Sequence, residues 1–154
     1  MTIEDDIAYL ERIPLLRRLG TGALRILAIG VENYDLRPGQ ILFAAGDSAD
    51  GAYIIQRGFF SLKPERAGEP ELTAGPGTLL GESALLAETR RPATATARES
   101  ATVMRISRSM FLRMLEGYPD AARRLREMMA SRADQWAREM ENVRATLLPD
   151  GKPQ

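Results

Sequence analysis

The sequence predicts a mainly β domain, a sandwich or barrel with helices at both ends. Three patterns carry that reading. Between Tyr34 and Ser107, short apolar or β-rich runs alternate with Gly and Pro turns, too closely spaced for a βαβ sheet. Residues 3–31 and 108–148 instead carry apolar side chains at helical steps. The chain has 154 residues, 44% hydrophobic and 27% charged, enough for one ordinary globular domain with a real core. That domain is expected to span 1–148, with a disordered tail at 149–154.

The N-terminal helices, 1–33, come in pieces. Ile7 and Leu10 share a face, Pro14 breaks the first piece, and Leu15, Leu16 and Leu19 make a second. After Gly20-Thr21-Gly22, Leu24, Leu27 and Ala28 mark a third, with Thr21 expected as its N-cap. The strands occupy 34–107. Tyr34–Leu36 and Ile41–Phe43 flank the turn Pro38-Gly39, and Gly46-Asp47 turns again. Ala52–Gln56 and Phe59–Lys63 read as a hairpin about Arg57-Gly58. Glu71–Ala74, Thr78–Leu80, Thr94–Ala97 and Ala101–Ser107 complete the set, with Val103 and Ile106 as core.

The C-terminal helices span 108–148. The first, Arg108–Glu116, has Phe111, Leu112 and Leu115 on one side, and Gly117 interrupts it. From Pro119, which suits a first helical position, a long helix is expected to about Leu148. Ala122, Leu125, Met129, Trp136, Met140, Val143 and Leu147 form its apolar seam, more than one sandwich can cover, which favours a homodimer. Trp136 reads as dimer core and the mixed charges as a solvated face.

Several function classes drop out on composition. With 21 basic and 21 acidic residues there is no net charge to attract nucleic acid or a membrane. Cysteine and histidine are both absent, which removes thiol nucleophiles, the usual general base and the commonest metal ligands. No nucleophile elbow or Walker loop is present, so the reading is not an enzyme and carries no metal. No run is apolar enough to span a bilayer, and MTIEDDIAYL is too acidic for a signal peptide, so a cytoplasmic location is expected.

Chemistry concentrates in Gly81–Ala97, GESALLAETRRPATATA. It reads as a Gly turn, about one helical turn, a basic loop with Arg90 and Arg91, and a strand. A helix N-terminus suits an anion, and an arginine brought to it offers a planar fork for phosphate. Glu82 cannot bind phosphate and needs another partner, such as a sugar hydroxyl. The competing reading makes Arg91 a screened surface cation and Glu82 a carboxylate favoured by a helix start. Arg90 is expected to face solvent.

These residues resemble the phosphate-binding cassette of the cyclic nucleotide-binding domain, found in catabolite activator proteins and protein kinase A regulatory subunits. Gly81, Glu82, Ala84, Leu85, Leu86 and Arg91 fall on its pattern at the same spacing. YDLRPGQILFAAGDSADGAYIIQRGFF resembles the first half of that domain, so the likeness covers roughly residues 15–115. It implies an eight-stranded jelly roll that binds cAMP or cGMP. Glu82 would take the ribose 2′-hydroxyl, Arg91 the cyclic phosphate, and the Gly81–Ala84 amides would help, giving a ligand site of Leu80, Gly81, Glu82, Ser83, Ala84, Arg91, Pro92 and Ala93. Leu80 stands where the family often has Phe, and Ser83 where it has an apolar residue. Pro92 replaces a small residue, removes one N–H, and leans towards cAMP. The likeness also implies pairing through the long helix and base-covering residues on it, in the zone of Arg124, Met128 and Ser131.

Two further readings follow. The chain could keep the fold as a dimerisation or interaction module without a ligand, as Pro92 and Ser83 suggest. It could be the sensor part of a transcription regulator; only LLPDGKPQ follows the long helix, so this chain alone is not expected to read DNA. Its protein effector is unidentified.

Overall fold

The structure is a computed structural model describing residues 2–131. Three helices lead: α1 (Ile3–Leu10), α2 (Pro14–Arg17) and α3 (Thr21–Gly30). Ten strands follow: β1 (Glu32–Leu36), β2 (Ile41–Phe43), β3 (Ser48–Ala49), β4 (Gly51–Arg57), β5 (Phe60–Pro64), β6 (Leu72–Ala74), β7 (Leu79–Leu80), β8 (Thr89–Arg90), β9 (Ala93–Ala97) and β10 (Ala101–Ser107). A 3-10 turn, Glu82–Leu85, sits between β7 and β8, and α4 (Arg108–Gly117) closes the strand region. The chain is helical again from 119 through 131.

Two antiparallel four-stranded sheets, ordered β1-β10-β4-β7 and β2-β9-β5-β6, make the jelly-roll sandwich. The remaining pair, β3 and β8, forms a small ribbon that the apolar pattern could not reveal, since each strand has only two residues. The Arg57-Gly58 turn is not a hairpin, because β4 pairs with β10 and β7 whereas β5 pairs with β6 and β9. Gly58, at φ 88°, carries the chain from one sheet to the other, and a Cβ there would strike the Ser100 carbonyl and Ala101.

The core explains the composition of β4 and β10. Ala52, Ile54, Met104 and Ile106 pack with the helices, against Leu10, Leu16, Leu27 and Phe111. The alternate residues Ile55 and Val103 turn inward to Phe60, Ala95 and Ala97 of the second sheet. The first sheet is thus covered on both faces, and its central strands read as continuous apolar runs. Tyr9 ties the helical layer to the sheet: its hydroxyl donates to the Ile55 carbonyl and accepts from Gly77 N–H at 3.0 Å.

Two helix expectations are corrected. The N-cap of α3 is Gly20 at φ 94°, and Thr21 is the first helical residue with no side-chain cap bond. The helix beginning at 119 turns Ala121 and Leu125 into its own domain's core, with Met128 packed beside them. Leu125 of the expected dimer seam therefore packs into its own domain, while Ala122 is half-buried and Met129 is 43% exposed on the single chain. Trp136, Met140, Val143, Leu147 and the tail lie outside the described residues.

Phe111 is fully buried while its neighbour Leu112 is 38% exposed. Phe111→Ala should therefore cost about 3–5 kcal/mol, against about 0.5 kcal/mol or less for Leu112→Ala. Equal losses in denaturant unfolding would contradict this placement of α4.

Candidate ligand-binding site

The site grows from a glycine. Gly81 adopts φ 82°, ψ 37°, the left-handed conformation that costs L side chains energy, and so turns the chain out of β7 into the 3-10 turn. A Cβ at Gly81 would also collide with Arg91 Nη1. The backbone conformation favours glycine, and any larger residue would also have to displace the end of the Arg91 side chain.

Arg91 points inward and is only 5% exposed. Its backbone is held on both sides by the Gly46-Asp47 turn: Arg91 N–H donates to the Asp47 carbonyl and Gly46 N–H to the Arg91 carbonyl, each at 2.8 Å. The guanidinium carbon lies 4.4 Å from the Phe43 ring centroid and 5.4 Å from that of Tyr53, and those rings stack with centroids 5.9 Å apart. Such contacts favour a cation by about 0.5–2 kcal/mol. Nη2 donates to the Gly51 carbonyl at 2.8 Å. Nη1 is buried and has no hydrogen-bond partner among the described residues. Burial lowers the Arg91 pKa from its ordinary value, while the Tyr53 and Asp50 oxygens partly offset that.

The other expected residues divide by role. Glu82 and Ser83 line an open cleft of about 490 Å³, together with Gly81, Pro92 and Met129. Ala84 is fully buried and its N–H donates to the Gly81 carbonyl at 3.0 Å, so it shapes the turn. Leu80 is buried in the sandwich opposite Tyr53, and Ala93 pairs with Pro64 on β5. Arg90 is exposed, as expected, and donates from Nη1 to the Gly46 carbonyl.

None of Arg124, Met128 and Ser131, the residues expected near a base, lines the cassette cleft. Met129, not Met128, reaches the cassette cleft from the C-terminal helix. Met128 and Ser131 border a separate cleft with Pro14, Arg17 and Arg18. Arg124 donates to the Leu19 carbonyl at 3.4 Å, bracing the corner between α2 and α3. Sequence reasoning missed the aromatic bed of Phe43 and Tyr53, because their spacing is that of ordinary strand residues.

Chemically, the arrangement offers a desolvated, unsatisfied cationic donor beside a left-handed turn, with a carboxylate on the cleft wall. That set suits an anion attached to a hydroxyl-bearing group. Among the described residues no cluster of side chains has metal-ligand character, and no helix is long and apolar enough to cross a membrane.

Comparisons with known proteins give the family. The family described as cyclic nucleotide-binding domain matches residues 35–118. A cyclic nucleotide-binding-like protein from Brucella abortus is 45% identical with a TM-score of 0.64, the match covering 73% of this chain and 98% of that one. An uncharacterized NTE family protein of Mycobacterium tuberculosis is 32% identical over 116 residues, 75% of this chain but 20% of its own length. A cAMP-dependent protein kinase regulatory subunit of Yarrowia lipolytica is 27% identical over 107 residues, 70% of this chain and 28% of its length. The chain thus spans only 20–28% of the length of these curated relatives. A match over more than half its residues, on a sandwich that buries the cassette arginine beside the cassette glycine, makes this chain a member of the cyclic nucleotide-binding domain family.

Proposed function

We propose that this chain is a regulatory module that binds a cyclic nucleotide of the cAMP type, and that Arg91 receives the cyclic phosphate. The observation that carries the reading is Nη1 of Arg91, buried with no partner among the described residues, in the space a Cβ on Gly81 would need. A solvated surface arginine would not accept that cost. A phosphate oxygen supplies both the charge and the acceptor the site lacks, and charge-assisted bonds contribute about 1.5–3 kcal/mol each.

Glu82, on the cleft wall, takes a hydroxyl of the sugar in this reading. The cleft reaches Met129 on the C-terminal helix, so ligand and helix share a surface. Any regulatory effect then comes from different ligand affinity in two positions of that helix. The name of the Yarrowia lipolytica relative, a cAMP-dependent kinase subunit, supports cAMP first, and Pro92, which carries no hydroxyl, leans the same way. Pairing of two chains through the C-terminal helix is part of the same proposal. So is action by way of a protein effector instead of direct contact with DNA.

One observation favours a module that has lost its ligand. Pro92 is exposed on the cleft wall and has no N–H to offer. Titration calorimetry with cAMP and cGMP separates the two readings. Saturable binding of either nucleotide is expected, and heat from neither at millimolar concentration would leave the non-binding reading in place.

The arginine assignment is tested with Arg91→Met. Removing a buried, partly unsatisfied cation should change the unliganded melting temperature little, while affinity falls at least about tenfold, equivalent to about 1.4 kcal/mol. Retained affinity would refute the phosphate contact. Glu82→Ala should weaken binding by a similar factor, about tenfold, without unfolding the domain. An unchanged Kd would remove Glu82 from the site.

A further inference from the structure

Three arginines converge on Ala49, Asp50 and Gly51, the segment that leads into β4. The Gly51 carbonyl accepts from Arg91 Nη2 at 2.8 Å. The Asp50 carbonyl accepts from the backbone N–H of Arg108 at 2.7 Å, and the Asp50 carboxylate pairs with Arg105 at 2.9 Å. The Ala49 carbonyl accepts from Arg108 Nη1 at 3.0 Å. Three successive carbonyls are therefore held by the cassette arginine on one side and by the first residue of α4 on the other.

Arg108 reaches further. The same Nη1 lies 3.1 Å from the carbonyls of Ala84 and Ala87, at the end of the cassette's 3-10 turn. A helical turn leaves its last carbonyls without intrahelical donors, and a cation there is favourable. One guanidinium nitrogen thus satisfies acceptors from the cassette and from the β3–β4 junction together. Among the described residues no other side chain donates to the Ala84 and Ala87 carbonyls.

We propose that Arg108 is a positioning residue for the ligand site: it clamps the carbonyl end of the cassette turn and so fixes Gly81 and Glu82 relative to Arg91. This rests on the nucleotide reading above. It adds that the cassette is anchored to the first residue of α4, so displacement of either is felt by the other through one side chain.

The test uses the full chain, cAMP as ligand, and the variants Arg108→Met and Arg108→Lys. In unliganded protein, Arg108→Met should speed amide hydrogen exchange at Ala84, Leu86 and Ala87, whose N–H groups bond within the turn, while Ile54 in β4 keeps its protection. The Kd for cAMP should rise about tenfold, as loss of a charge-assisted contact predicts. Arg108→Lys, which keeps the charge and several donors, should recover most of both effects. Melting temperatures that fall with exchange and Kd unchanged would mean a structural role only and would overturn the inference. A wild type that binds neither cAMP nor cGMP would defeat the functional reading, and the exchange result alone would then decide whether Arg108 holds the turn.

Discussion

The site depends on a charge placed where charge is expensive. A guanidinium taken out of water needs its donors satisfied, and a buried donor left unpaired costs on the order of 1–3 kcal/mol. Arg91 recovers part of that through Gly51, Phe43 and Tyr53. Among the described residues nothing meets Nη1. In the proposed reading, an anion that reaches this atom gains the interaction those residues leave unmet. Local energetic inconsistency of this kind is what a binding site looks like within an otherwise consistent fold.

The rest of the architecture makes that placement possible. Helices cover one face of the first sheet and the second sheet covers the other, so the interior is dry enough to desolvate a side chain at its rim. The Gly46-Asp47 turn pins the Arg91 backbone, and the β3–β8 ribbon joins that turn to the residue just before it. A flexible loop carrying the same arginine would let it swing into water, where ion pairing is worth far less. The rigidity of the frame keeps an ordinary basic residue in one place, as the proposed phosphate contact requires.

Much of this was legible in the residues. The change near Tyr34 from helical spacing to short runs punctuated by Gly and Pro marked the sandwich, and GESALLAETRRPATATA marked the cassette with Gly81 and Arg91 in place. What escaped depends on contacts distant in sequence. Whether Arg57-Gly58 closes a hairpin or crosses between sheets depends on which strand β10 pairs with, and local turn chemistry carries nothing about that. Met128 and Met129 are equivalent by composition, and only the helix's rotation against Leu125 and Ala121 sends Met129 to the cleft. Phe43 and Tyr53 sit on β2 and β4, in different sheets, so their stacking beneath one guanidinium has no signature along the chain.

Pro92 has two opposed effects, and their balance bears on affinity. It removes one amide donor from the cleft wall. It also restricts the residue before it to extended conformations, and that residue is Arg91, whose N–H and carbonyl must both meet the Gly46-Asp47 turn. A chain already confined loses less entropy when the site forms, an effect of about 0.4–1 kcal/mol for a compatible proline. A lost amide contact to an anion is larger, about 1.5–3 kcal/mol at full strength. The proline therefore removes at most one hydrogen bond from the proposed site while steadying the arginine at its centre, and in that reading the pocket can spare the donor because Arg91 is already held in position.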